Sequence, residues 1–201
     1  MYYKRKNANI IKIMTLTIIG VLLIGVIVSI VTGLMYKFGS EVGKVVDTYQ
    51  GIPIYNNGKD GAQENGINKN KNGYVYGYKW QCVEFINRFY YDKLGISIPG
   101  GGNAKDYFDE KIENGANNNT RMLTQFKNGE GDKPKINDII IFTKGEYGHL
   151  AIVSKVEDDY IEIVQQNVYG KPRDKLNITY KDDKPIIAAG KGVSGWLRKE
   201  N

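Results

Sequence analysis

The longest hydrophobic stretch of this chain lies near its start. From Ile13 to Tyr36 (IMTLTIIGVLLIGVIVSIVTGLMY) there are 24 residues without a charge. In a helix rising 1.5 Å per residue, such a run crosses the roughly 30 Å hydrocarbon core of a bilayer. A transmembrane helix is therefore predicted over 13–36. Lys4, Arg5, Lys6 and Lys12 precede it, which keeps residues 1–12 in the cytoplasm and exports the remainder of the chain. A cleaved signal peptide competes with an anchor. Its apolar region is normally shorter, and only Val31 and Gly33 offer a weak small-residue cleavage site. No cysteine near the segment permits lipid attachment.

Beyond residue 36 the pattern shortens. Residues 37–50 mix polar and apolar positions and read as a stalk or a first short helix. Gly51-Ile52-Pro53-Ile54-Tyr55 reads as the first strand of a domain covering 51–201. Residues 56–73 are almost entirely Asn, Gly and Lys, a loop without apolar periodicity. Asn68, Asn70 and Asn72 alternate ahead of Gly73 like the first half of a calcium loop. The intervening lysines, and Lys79 where a closing Glu is needed, argue against that.

Phe85, Ile86, Phe89 and Tyr90 then recur at three- and four-residue intervals, the spacing of an amphipathic helix from Cys82 to about Leu94, capped by Gly95. A second helix is predicted over 104–113, with Tyr107, Phe108 and Ile112 facing inward. From Pro134 the period changes to short apolar runs bounded by turn residues: 138–142, 149–153, 160–165 and 175–180. Helices followed by consecutive strands with short connections predict an α+β fold with an antiparallel sheet.

Composition narrows the function. The formal charge is +6, but four of the 28 basic residues precede the apolar run, leaving 24 against 22 acidic ones. So balanced a surface is no nucleic-acid stripe, and no nucleic-acid partner is expected. There is one cysteine and one histidine. No Walker loop, C-x-x-C pair or second histidine is present, so no nucleotide, zinc or flavin cofactor and no metal is expected.

The lone cysteine is placed for chemistry. Cys82 falls in the first turn of its helix, where unpaired N–H groups and the helix dipole favour thiolate over thiol. A buried structural cysteine on the same stripe is the plain alternative. A nucleophilic thiol needs a base, and His149, starting a strand after Gly148, is the one imidazole available. On the 160–165 strand, period-2 alternation puts Ile161, Ile163, Gln165 and Asn167 on one face. Two apolar residues followed by two amides describe a strand leaving a core for a polar site. Gln165 or Asn167 would then orient the imidazole.

These segments carry a resemblance. Tyr-Lys-Trp-Gln-Cys-Val-Glu-Phe at 78–85, Gly-His-Leu-Ala-Ile-Val at 148–153 and Val-Gln-Gln-Asn-Val at 164–168 resemble, in this order, the cysteine, histidine-dependent amidohydrolase/peptidase (CHAP) family. Within it they are similar to the amidase domain of glutathionylspermidine synthetase/amidase. Gly51–Tyr55 and Gly195-Trp196 are also similar, so the likeness covers roughly 51–199. The resemblance implies a papain-like α+β fold, helices packed on an antiparallel sheet. It implies Cys82 as nucleophile, His149 as base, and an oxyanion hole lined by the Cys82 N–H with Gln81. The family usually has Glu where this chain has Gln165. A neutral amide stabilises an imidazolium less than a carboxylate does, so weaker activity or a shifted pH optimum is expected.

With the apolar run, the resemblance implies a monomeric, single-pass membrane protein whose catalytic domain lies outside the cytoplasm. Peptidoglycan peptides are the abundant amides there. A glutathionylspermidine-type amidase is the alternative if the domain faces the cytoplasm. A catalytically silent module that binds wall peptide is the other.

Overall fold

The apolar run forms part of one long helix, α1 (Tyr2–Gly39), in a computed structural model that describes residues 2–39, 41–61 and 65–200. Within it Met14–Gly33 is long and apolar enough to cross a membrane, a property shared by anchors and signal sequences. Its side chains are exposed on every side, Leu22 and Val28 alike, so the helix is apolar all round rather than along one stripe. The side chains of Lys4, Arg5, Lys6 and Lys12 lie outside the described residues. The helix belongs to one unit and Val42–Asn201 to a second.

Among the described residues of the second unit one α-helix, α2 (Cys82–Leu94), packs on an eight-stranded antiparallel sheet. Two hairpins precede the helix: β1 (Val45–Tyr49) with β2 (Ile52–Tyr55), and β3 (Ile67–Lys69) with β4 (Val75–Tyr78). The sheet strands are β5 (Ala116–Asn118), β6 (Leu123–Lys127), β7 (Ile139–Phe142), β8 (His149–Val156), β9 (Tyr160–Gln165), β10 (Arg173–Lys181), β11 (Lys184–Ile187) and β12 (Val193–Arg198). They run in the order β11-β10-β9-β8-β7-β12-β6-β5. The class is α+β, as the patterning predicts.

Both faces of the central strands are covered, which explains their unbroken apolar runs. On one face Phe85, Ile86 and Phe89 of α2 meet Ile139, Ile141, Leu150, Ile152 and Val164. On the other, Ile140, Ala151, Val153, Ile161 and Ile163 join Leu176, Ile187 and Trp196. Full burial of side chains such as Phe85 and Phe89 contributes about 1.5–3 kcal/mol each. Helix α2 stops where the sequence predicts. Gly95 is left-handed, its N–H bonds to the Tyr91 carbonyl at 3.1 Å, and the Ile96 N–H reaches the Tyr90 carbonyl at 2.9 Å.

Four expectations change. The segment predicted as stalk or helix, 37–50, supplies strand β1 from Val45. Its partner, Ile52–Tyr55, needed another strand to satisfy its backbone. The Asn-rich loop holds the short strand β3, and 62–64 lie outside the described residues. Asn68 there donates to Glu84 at 2.8 Å, and Asn70 accepts the Asn72 and Tyr74 N–H groups, so both make protein bonds. The helix predicted over 104–113 is one 3-10 turn, Ala104–Tyr107, ending at an extended Phe108. Side chains take the backbone groups a longer helix would use: Gln125 bonds both N–H and C=O of Asp109, and Arg121 takes the Asp106 carbonyl. Finally, β5, β6, β11 and β12 lie outside the apolar runs that predict strands.

Candidate active site

Gln81 enters α2 with an extended backbone (φ −75°, ψ 160°), and its carbonyl accepts the Phe85 N–H at 3.2 Å. Cys82 is thus the first helical residue. It is a free thiol, 7 % exposed. Beneath it a buried polar cluster ties the helix start to the rest of the unit. Glu84, fully buried, accepts from Arg88 Nε at 2.6 Å, from Gln166 Nε2 at 2.6 Å and from Asn68 at 2.8 Å. Arg88 reaches the Pro53 carbonyl at 2.8 Å, while Gln166 accepts the Tyr55 N–H and donates to the Gln81 carbonyl. A buried ion pair with its remaining valences filled fixes geometry even where it adds little stability.

His149 begins β8 opposite Phe142 of β7, whose ring lies 5.8 Å away against the imidazole. Gly148 just before it has φ +72°. A Cβ there would stand 2.5 Å from the Phe142 carbonyl oxygen and 2.7 Å from the Lys105 nitrogen. Only glycine lets the 3-10 turn and β7 close on the strand start. His149 Nε2 lies 2.9 Å from Gln165 Oε1. The Gln165 amide is oriented by its other end, whose Nε2 donates to the Lys171 carbonyl at 3.0 Å. Its oxygen must therefore accept, so His149 carries a proton on Nε2. That leaves Nδ1 for the sulfur.

Sulfur and imidazole sit within reach of each other and shift each other's titration. Burial pushes the Cys82 thiol up. The hydrogen bond and charge of His149, with the Leu150 and Val83 N–H groups, outweigh burial and hold it below its ordinary value. Burial pulls His149 down, but the Cys82 hydrogen bond and charge, with Gln165, raise it above its ordinary value. Opposite displacements of this kind favour the charged forms of both groups when the two are close.

Residues 73–167 match the family model of the CHAP domain. This window holds the helix start, His149 and Gln165. That segment is CHAP-like. The chain is 33% identical over 101 residues to the bifunctional glutathionylspermidine synthetase/amidase of Escherichia coli K12, covering 48% of this chain and 16% of that protein. It is 30% identical over 122 residues to trypanothione synthetase of Crithidia fasciculata, covering 58% and 18%. It is 30% identical over 103 residues to endolysin PlyTW of Staphylococcus phage Twort, covering 48% and 20%. The matched part is thus a fifth or less of each relative. The family match is narrower than the 51–199 likeness carried by the motifs.

Within the matched segment, two residues expected at the site make other bonds. Asn167 does not orient His149. Extending the β8–β9 register, in which Ala151 faces Gln165, would set Asn167 opposite His149. The strand ends at Gln165, however, and Asn167 turns left-handed (φ 68°). Its side chain accepts from Asn57 at 2.8 Å and donates to the Gly61 carbonyl at 2.9 Å and to Gln81 Oε1 at 2.6 Å. Gln81 is committed in turn: its Nε2 bonds the Gly61 carbonyl, and its N–H bonds the Tyr78 carbonyl. The Cys82 N–H, as the first of a helix, has no intrahelical acceptor.

Sequence reasoning missed Glu84, Arg88 and Gln166. Glu84 and Arg88 were findable as an i,i+4 charge pair on the buried side of the predicted helix. Gln166 and Asn57 gave no signal. Among the described residues no group of three or more His, Cys, Asp and Glu side chains could hold a metal ion.

Proposed function

We propose that this chain is a membrane-anchored, extracytoplasmic cysteine amidase/peptidase that hydrolyses amide bonds of peptidoglycan peptides. The observation that carries the chemistry is the Cys82–His149–Gln165 constellation, with the thiol displaced downward and the imidazole upward. Amidase and endolysin relatives support the class of reaction, and the endolysin supports a wall substrate. The uncharged run of α1, with basic residues before it, supports an anchor over 13–36 that leaves 1–12 inside and the CHAP domain outside.

In this reading the Cys82 thiolate attacks the amide carbonyl, and the resulting oxyanion is met by the Cys82 N–H. His149 gives its Nδ1 proton to the departing nitrogen, so the C–N bond breaks and a thioester remains. Water then adds to the thioester carbonyl. His149 takes the proton of that water, and the thiolate leaves. Gln165 holds the ring through Nε2 in every step.

The test is digestion of purified peptidoglycan by the full chain in detergent micelles, read by mass spectrometry beside a Cys82→Ala control. New fragments with a fresh carboxyl and amine, absent in the control, are expected. No new fragment would remove peptidoglycan as the substrate. Anchoring is tested by alkaline extraction of membranes and by protease treatment of intact cells, which should digest the CHAP domain. A glutathionylspermidine-type amidase is the second reading, favoured by the E. coli relative and leading if the domain is protected.

A further inference from the structure

Beside the imidazole, on the sheet face away from α2, lies a cavity of about 440 Å³, within the size range of small-ligand pockets. His149 and Gln165 form one wall, and Ile163 and Leu176 line it as apolar residues. Its charged lining is Lys144, Lys171, Lys191 and Asp174. Lys171 is paired with Asp174 at 2.8 Å. The Thr143 N–H bonds the Gly192 carbonyl at 3.1 Å, which sets the end of β7 beside the start of β12 and brings Lys144 and Lys191 to one rim. Among the described residues neither has a carboxylate within ion-pair distance. Both lysines are exposed, and Lys191 also acts on Asp174, so the lining sets three ammonium groups against one carboxylate over an apolar floor, a net positive edge that favours an anion.

The position of the cavity decides which half of a substrate it meets. In the amide-cleaving reading His149 hands its proton to the departing nitrogen, which puts that nitrogen next to the imidazole, and the imidazole is one wall of the cavity. Gln165 is neutral and already holds His149 and the Lys171 carbonyl, so it separates a carboxylate from an amide less well than an ammonium group does. Lys144 and Lys191 are the charged groups of the lining outside the Lys171–Asp174 pair.

We propose that this cavity binds the leaving half of the substrate and that Lys144 and Lys191 select one bearing a carboxylate close to the released amine. The inference rests on the amide-cleaving reading of Cys82 and His149. It narrows the substrate to a peptide whose departing fragment is anionic.

The experiment titrates full-length Cys82→Ala protein in neutral detergent micelles, by calorimetry at low salt, with glycylglycine and with glycylglycinamide. These differ only in the carboxylate. Glycylglycine should bind roughly tenfold more tightly, the advantage of a charge-assisted bond. The advantage should vanish in Lys144→Gln/Lys191→Gln and persist in Lys155→Gln/Lys175→Gln, which removes equal charge elsewhere. Equal affinities, no binding of glycylglycine at tens of millimolar, or an advantage that survives Lys144→Gln/Lys191→Gln would overturn the proposal. A parallel turnover assay of the unsubstituted chain keeps the two readings apart. If it cleaves no amide while the preference holds, the amidase reading falls and the cavity site stands. If it cleaves amides without the preference, the cavity site alone falls.

Discussion

His149 and Gln165 meet at 2.9 Å, and the far end of the Gln165 amide donates to the Lys171 carbonyl at 3.0 Å. Position 165 is therefore built for a group that accepts on one side and donates on the other. A carboxylate fits only the first requirement.

Gln165→Glu is accordingly no simple restoration of the residue usual in the family. An ionised carboxylate at position 165 would stabilise the imidazolium and move the alkaline limb of the pH–rate profile upward. It would also set an oxygen against the Lys171 carbonyl and lower the melting temperature. Both readouts should move, the limb up and the melt down. Gln165→Ala should lower kcat/KM by about a hundredfold through a misplaced ring, whereas Asn167→Ala, which does not touch His149, should leave the limb in place. A limb displaced by Asn167→Ala would reassign the orienting role.

Cys82 should react with iodoacetamide well below the ordinary thiol range. Its titration is displaced downward because His149 and two N–H groups outweigh burial, so thiolate persists as pH falls. The alkaline side is set by His149, whose titration is displaced upward, and above it the pair loses the imidazolium charge. In His149→Ala only burial and the N–H groups remain, and the alkylation midpoint should rise. An unchanged midpoint would mean the two side chains do not interact.

Arg88→Ala should be costly. Glu84 would be left in a fully buried place without its cationic partner, with amides alone for company. Urea denaturation should register a loss of about 3–5 kcal/mol, as for other broken buried pairs. Glu84→Met/Arg88→Met should recover part of it, since no lone charge is left. Recovery should stay incomplete because Gln166 and the Pro53 carbonyl lose partners.

Gly148→Ala tests the crowding at the start of β8. The added Cβ meets Phe142 and Lys105 backbone atoms, while Gly145→Ala meets nothing within 4 Å at a similarly left-handed φ. Both variants carry backbone strain of about 1–3 kcal/mol at most. Only Gly148→Ala should also displace His149 and depress kcat/KM. Equal losses in the two variants would show that contact plays no part.

Much of this site was legible because its signals are local. A cysteine at the first turn of an amphipathic repeat, a histidine after a glycine turn and two amides at a strand end each announce themselves within a few residues. Apolar runs likewise disclosed β7, β8 and β9, whose two faces are both buried. The short strands were invisible: β5 (ANN) offers no apolar alternation, and β11 and β12 follow turns in a stretch rich in charge and glycine. A period of 3.6 over 104–113 promised a helix, yet Gln125 and Arg121, distant in sequence, claimed its carbonyls.

The sequence by itself determined the anchor-like run, the α+β class and the identity of sulfur and imidazole, because each depends on composition or period along one segment. Tertiary structure decided which amide holds the ring. Gln165 and Asn167 share a face by alternation, and register alone favours Asn167. The strand's end and the left-handed turn at Asn167 send one amide to His149 and the other to Gln81. Where an extended backbone stops is set by what competes for its hydrogen bonds, and those competitors come from the rest of the fold.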